Sequence, residues 1–135
     1  MIDLISEKHK QLRHTTMSKI AQQLDDKFSE MDIYLLSLNQ HTSMSLSESA
    51  RYMNISRQAV HKHAQYLTSL GYIEVTTSEA NRRDKMVTLT DAGEVLGSKI
   101  AAIKAQLEAE LEKELGSENY QKIIGLFRSQ WHLPS

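Results

Sequence analysis

The single proline of this 135-residue chain is Pro134. Nothing before it removes a backbone donor from a helical ladder, and only five glycines are present to loosen one. A chain punctuated so sparsely is expected to be mainly helical. No Pro- or Ser-rich linker and no internal repeat divides it, so one domain over residues 1–135 is expected.

Apolar spacing locates the elements. A first helix is expected from about Asp3 to Leu24, with Leu12, Met17, Ile20 and Leu24 near helical spacing. A second covers about Glu30 to Leu38, and Asn39 to Ser43 is loop chemistry. Ser45-Leu46-Ser47-Glu48 reads as a capping box opening a short helix that buries Leu46, Ala50 and Met53. Asn54-Ile55 is a turn. Ser56 then caps a helix from Arg57 to Leu70 with Val60, Ala64 and Leu67 on its inner face, and Gly71 fits the left-handed position that ends it. Tyr72 to Thr77 and Met86 to Leu89 read as paired strands around a polar segment. Thr90 or Asp91 opens a long helix, Ala92 to Leu115, whose stripe is Leu96, Ile100, Ile103, Leu107, Leu111 and Leu115. Gly116-Ser117 closes it and caps a last helix to about His132, with Tyr120, Ile123, Ile124, Phe127 and Trp131 on one face.

Two short helices, a tight turn and a hairpin make a winged helix-turn-helix. The fold class expected is mainly α with a small β-hairpin wing, the winged core being flanked by N- and C-terminal dimerisation helices. About 1–28 and 92–135 would be the dimerisation helices, and about 30–90 the DNA-binding lobe.

Charge supports that placement. The whole chain carries −1, which argues against coating nucleic acid through bulk charge. Residues 47–90 have six basic and four acidic side chains, and are the only net-positive third. Within them Arg57, Gln58, His61, Lys62 and Gln65 share the outer side of one helix, with no large apolar group among them. Such donors reach base edges and phosphates in a major groove. Arg82, Arg83 and Lys85 belong to the hairpin, where they would meet an adjacent minor groove or backbone. A solvated helix and a charged loop would each look similar alone; the capped helix, short turn, glycine and wing together favour DNA.

The run Asn81 to Gly93 resembles the wing signature of the multiple-antibiotic-resistance regulator (MarR) family, Asp-x-Arg, five residues, then Leu-Thr-x-x-Gly. Arg83, Leu89, Thr90 and Gly93 fall in register. Ile55 to Val60 and Leu67-x-x-x-Gly71-Tyr72-Ile73 are similar to the family's recognition helix and following strand, which adds Ser56 and Ala59 to the expected DNA-binding set. One departure stands out: the signature's aspartate is Asn81. Without its charge, Arg83 would be held less rigidly and the wing contact would be weaker or more salt-sensitive.

The absence of cysteine makes a reducing cytoplasm the simplest address. The resemblance implies a homodimeric regulator of transcription, expected to be a repressor, that binds a pseudo-palindromic site on double-stranded DNA. The terminal helices carry more apolar area than the winged core can cover, and Leu4, Ile5, Leu12, Ile103, Leu107, Leu111, Ile123, Ile124, Phe127 and Trp131 are the expected dimer contacts. The family often binds small aromatic effectors in a crevice beside the dimer helices; Arg13, His14, Met17, Met31 and Tyr34 are the candidates here, each also readable as ordinary core or surface.

Other classes fit less well. A winged-helix module that binds protein instead of DNA leaves Arg57, Lys62, Arg82 and Arg83 unexplained. No Gly-rich phosphate loop and no Gly-x-Ser-x-Gly elbow is present, and Glu108, Glu110, Glu112 and Glu114 read as a solvated helix side, so no enzyme is expected. No cofactor is expected. Six histidines invite a metal, but His61 and His63 are two apart on a helix and diverge, leaving only a distant assembly of His9, His14 and His41 with carboxylates. There is no cysteine, which removes disulfides and thiol switches. No apolar run is long enough for a membrane span, and Met1 to Glu7 turns polar too early for a secretory signal.

Overall fold

Serine and threonine hydroxyls set four of the helix starts among the described residues. Ser29, Ser45, Ser56 and Thr90 each accept a hydrogen bond from the amide three residues on, at 3.0 or 3.1 Å. The full capping box lies at Ser29, where Asp32 Oδ2 also accepts from the Ser29 amide at 2.8 Å. At Ser45 the serine half is made, with Glu48 exposed, so the box expected there is only half formed.

The computed structural model describes residues 1–77 and 84–134. In chain order the elements are α1 (Ile2–Gln23), α2 (Glu30–Leu38), β1 (Met44–Ser45), α3 (Leu46–Met53), α4 (Arg57–Ser69), β2 (Ile73–Thr77), β3 (Lys85–Leu89), α5 (Asp91–Leu115) and α6 (Ser117–Arg128). The sheet is antiparallel in the order β1-β3-β2, with Val75 opposite Val87 and Met44 opposite Val87 on the other edge. β1 was not expected: two residues are too short for any alternation to register. Buried Asn39 holds it, accepting from the Met44 amide at 2.8 Å while donating to the Leu35 carbonyl at 2.9 Å. Two buried amide dipoles satisfied this way fix the strand where side-chain pattern is silent.

The core gathers Ile33, Leu35 and Leu36 of α2, Leu46, Ala50 and Met53 of α3, Val60, Ala64 and Leu67 of α4, Ile73 and Val87 of the wing, and Leu96, Ile100 and Ile103 of α5. Each fully buried large side chain contributes about 1.5–3 kcal/mol. Of α1 only Ile20 is buried, and of α6 nothing. Three sequence expectations change here. Ile103, expected at a partner surface, is 3% exposed inside the chain's own core, packed in one cluster with Ile100, Leu96 and Ile20. α6 ends at Arg128, so Trp131 lies beyond the helix and folds back, its Nε1 donating to the Leu126 carbonyl at 2.9 Å and its ring 5.8 Å from that of Phe127. Gly116, at φ 84°, takes the N-cap position of α6, so Ser117 starts the helix and does not cap it.

Tyr72 joins the start of the wing to two other segments. Its hydroxyl donates to Asp26, its ring lies 5.9 Å from Phe28, and its carbonyl accepts from the Thr90 amide at 3.0 Å. Tyr66, on α4, donates to the Lys27 carbonyl. The α1–α2 connection is thereby tied to the winged core. The hydrogen bond to Asp26, then burial, then the charges of Asp26 and Asp25 push the Tyr72 phenol up to about 12 from 10.0. A folded-state value above the unfolded one contributes stability that is complete below pH 10 and disappears as pH rises toward 12. Urea midpoints of wild type and Tyr72→Phe should therefore converge between pH 10 and 12; a constant gap would deny this role to the phenol.

Candidate nucleic-acid interface

α4 has two unlike sides. Val60, Ala64 and Leu67, spaced four and three apart, are at most 1% exposed against the core. Arg57, Gln58, His61, Lys62 and Gln65 are exposed on the other side, Ala59 is half-buried, and Ser56 is exposed with its hydroxyl engaged as the cap. No acidic residue occurs between Glu48 and Glu74, so α4 carries Arg57 and Lys62 and no carboxylate of its own. The turn between the two helices is built by Asn54 in the left-handed region, φ 54°, with the Ile55 amide donating to the Ala50 carbonyl at 3.1 Å.

The wing stands beside this helix. β2 and β3 pair through five residues each, from Ile73 opposite Leu89 to Thr77 opposite Lys85. Lys85 is exposed, and together with Leu46, Arg57, Gln58 and His61 it lines a groove between α4 and the wing base. The expected contacts Arg82 and Arg83, and the Asn81 departure, lie outside the described residues.

A carboxylate that the sequence reading did not single out sits at the wing base. Ser45 pairs with Met86, and continuing that register brings Asp84 to the N-terminal turn of α3. Burial raises the Asp84 carboxyl, but the hydroxyls of Ser45 and Ser47, the Ser47 amide and the Arg57 charge outweigh it and leave the group below the usual carboxylate range. Asp84 thus places a negative charge three residues after the signature's aspartate position, between the start of α3 and Arg57 of α4.

His63, expected only to diverge from His61 on the helix, is turned inward: its Nδ1 lies 2.7 Å from Oδ1 of Asp32, a residue only 5% exposed. The signal available in the sequence was its position, three after Val60 and four before Leu67, on the flank of the buried stripe.

Exposed apolar side chains concentrate at the chain's two ends. Leu4, Leu12, Phe127 and Trp131 are about half exposed or more, Ile5 and Ile123 somewhat less, while Leu107, Leu111 and Ile124 are half-buried. Ile2, Leu126 and Leu133 are also exposed, and the sequence reading omitted them. Among the effector candidates, Met17, Met31 and Tyr34 are half-buried against the core, Tyr34 donating to the Tyr52 carbonyl at 3.2 Å. His14 is exposed. Arg13 is half-buried near Lys104, whose amine is lowered by burial first and by the Arg13 charge second. Among the described residues no three histidines or carboxylates gather as metal ligands, and no helix is long and apolar enough to cross a membrane.

Comparison with known proteins follows the same geometry. Residues 33–84, from α2 through the wing, match the MarR family model. The reduced form of MarR from E. coli superposes with a TM-score of 0.82 at 19% identity, covering 95% of this chain and 93% of that one. YusO of Bacillus subtilis gives 0.71 at 20% identity, covering 93% and 89%. BpsR of Bordetella bronchiseptica, whose DNA binding is regulated by 6-hydroxynicotinic acid, gives 0.69 at 20% identity, covering 93% and 96%. At such identities the likeness is one of fold. No curated protein matches by sequence.

Proposed function

We propose, from a MarR-family winged core over residues 33–84 and a MarR fold along nearly the whole chain, that this protein is a sequence-specific regulator of transcription that binds double-stranded DNA as a homodimer. The observation that carries the proposal is α4 itself. A helix seated on Val60, Ala64 and Leu67 turns Arg57, Gln58, His61, Lys62 and Gln65 outward beside Lys85 of the wing. That side is donor-rich and free of bulky apolar groups, and an α-helix is slim enough to enter a major groove. In this reading Ser56 and Ala59 approach the phosphates at the helix start, and Arg82 and Arg83 hold the flanking groove or backbone. Residues 30–90 form the reading lobe.

Residues 1–28 and 92–135 pair two copies through Leu4, Ile5, Leu12, Ile123, Ile124, Phe127 and Trp131, with Leu107 and Leu111 at the margin. Two recognition helices would then stand about 34 Å apart, one DNA turn. Repression is the regulatory sense proposed, because an occupied operator excludes other proteins. A small aromatic effector bound near Arg13, His14, Met17, Met31 and Tyr34 would release the DNA by favouring one dimer geometry over another. The regulation of BpsR by 6-hydroxynicotinic acid supports that class of ligand.

Selection of bound fragments from a random duplex pool tests the function. An enriched inverted repeat with half-sites about 10 bp apart is expected; no enrichment at low salt refutes the proposal. On the selected duplex, Gln58→Ala and His61→Ala should each relax preference at one base position by about 1–3 kcal/mol. Arg83→Ala should instead weaken all duplexes alike and lower the salt slope by about one. Titrations of binding against salt separate the two behaviours, and a base-specific loss in Arg83→Ala would move that residue off the backbone.

A further inference from the structure

α4 is held to the core by Val60, Ala64 and Leu67, a short branched side chain, a methyl group and a leucine. Burial of such groups is favourable but non-directional, so it fixes how close the helix lies far better than how it is rolled about its axis. The roll matters for reading. Side-chain tips stand about 5 Å from a helix axis, so a roll of about 20° displaces them by roughly 2 Å. That exceeds the tolerance of a hydrogen bond to a base edge.

Directional contacts resist such a roll: the Tyr66 hydroxyl donates to the Lys27 carbonyl, and a second contact ties α4 to α2. Asp32 is buried at the third position of α2, and both of its oxygens are engaged: Oδ2 accepts from the Ser29 amide at 2.8 Å, and Oδ1 lies 2.7 Å from His63 Nδ1. The imidazole tautomer with its proton on Nδ1 donates to that oxygen. The Asp32 carboxylate cannot swing to follow α4, because the capping box clamps it to the start of α2. A buried carboxylate stripped of this partner would be left partly uncompensated, which keeps the bond in place.

We propose that Asp32 and His63 are positioning residues for DNA reading: their bond sets the rotation of α4 on α2, and so which outer side chains of α4 meet the base edges. Neither residue touches DNA in this arrangement. Asp32 lies in the interior, and His63 faces α2 from the inner flank of α4. The inference rests on the DNA-binding reading above and adds to it the means by which register is held.

The test compares His63→Asn with His63→Gln, both close to histidine in size. The asparagine amide nitrogen falls near the place of Nδ1 and keeps the donor to Asp32; the glutamine amide reaches past it. Binding is measured to the selected duplex and to a scrambled duplex of equal length. His63→Gln should lose about tenfold of the preference for the selected site, as expected for one hydrogen bond to a charged group, while His63→Asn stays within about threefold of wild type. The salt slope should stay at the wild-type value in both, because no phosphate contact is removed. In the free protein, hydrogen exchange of α4 amides should be faster in His63→Gln than in His63→Asn. Equal preference and equal α4 protection in the two variants would overturn the inference alone. A wild-type protein that prefers no duplex would overturn the DNA reading and the positioning role with it.

Discussion

Phe127→Asp should yield a folded monomer that no longer holds its operator tightly. Phe127 is 60% exposed in the single chain and α6 buries none of its residues, so a carboxylate there stays hydrated and costs the monomer little. In an apolar interface between two copies the same carboxylate would be desolvated without a partner, at a cost of several kcal/mol, and would meet its symmetry mate. Once the copies separate, the second recognition helix is no longer tethered at high effective concentration. Affinity should then fall by about 10²–10⁴. Light scattering should report a mass near the 15.4 kDa of one chain, with circular dichroism unchanged. A variant that keeps the wild-type dimer mass would remove α6 from the interface. Ile103→Asp makes the contrast: that side chain is buried within the chain, so its substitution should unfold the protein and not merely separate two folded copies.

Gly93→Ala should be the most destabilising of the glycine-to-alanine changes. A Cβ at residue 93 would stand 2.0 Å from the Tyr72 carbonyl oxygen and 3.2 Å from Leu89 Cγ. The obstructing atom is backbone and already accepts from the Thr90 amide, so it cannot swing aside as a side-chain tip would. Either α5 moves away from the wing or the β2 entry is distorted. Such overpacking costs about 1–3 kcal/mol and sometimes more, which lowers the melting temperature by several degrees. Gly125→Ala, where a Cβ meets nothing within 4 Å, should be neutral or stabilising in a monomeric background. Equal melting temperatures for Gly93→Ala and wild type would mean that the α5–wing contact is looser than described.

Gly93 also shows how far sequence reasoning reaches. The glycine could be placed in register with a wing signature, but not explained; the reason for it is a carbonyl 21 positions earlier. Serine caps, the four-three spacing of Val60, Ala64 and Leu67, and the left-handed glycine at 71 are legible because each depends on residues within one or two helical turns. For that reason the outer face of α4 could be named residue by residue. The C-terminal stripe misled for the opposite reason. Ile103 and Leu107 have the same period and the same chemistry, and only tertiary packing decides that the first is core while the second is half exposed. Trp131 continues the spacing of Ile124 and Phe127, yet the helix ends at Arg128 and the indole turns back on it.

Local chemistry along the chain therefore determined the helices, their caps, the wing strands and the basic, acid-free outer side of α4. Tertiary structure alone decided that Asp32 and His63 meet, that Asp84 reaches the start of α3, and that β1 completes the sheet. Periodicity and capping are set by neighbours in sequence, where chain connectivity holds groups together at no further entropic cost. Contacts between residues 31 or more apart exist only after the core has closed, and nothing in the residues themselves announces them beforehand.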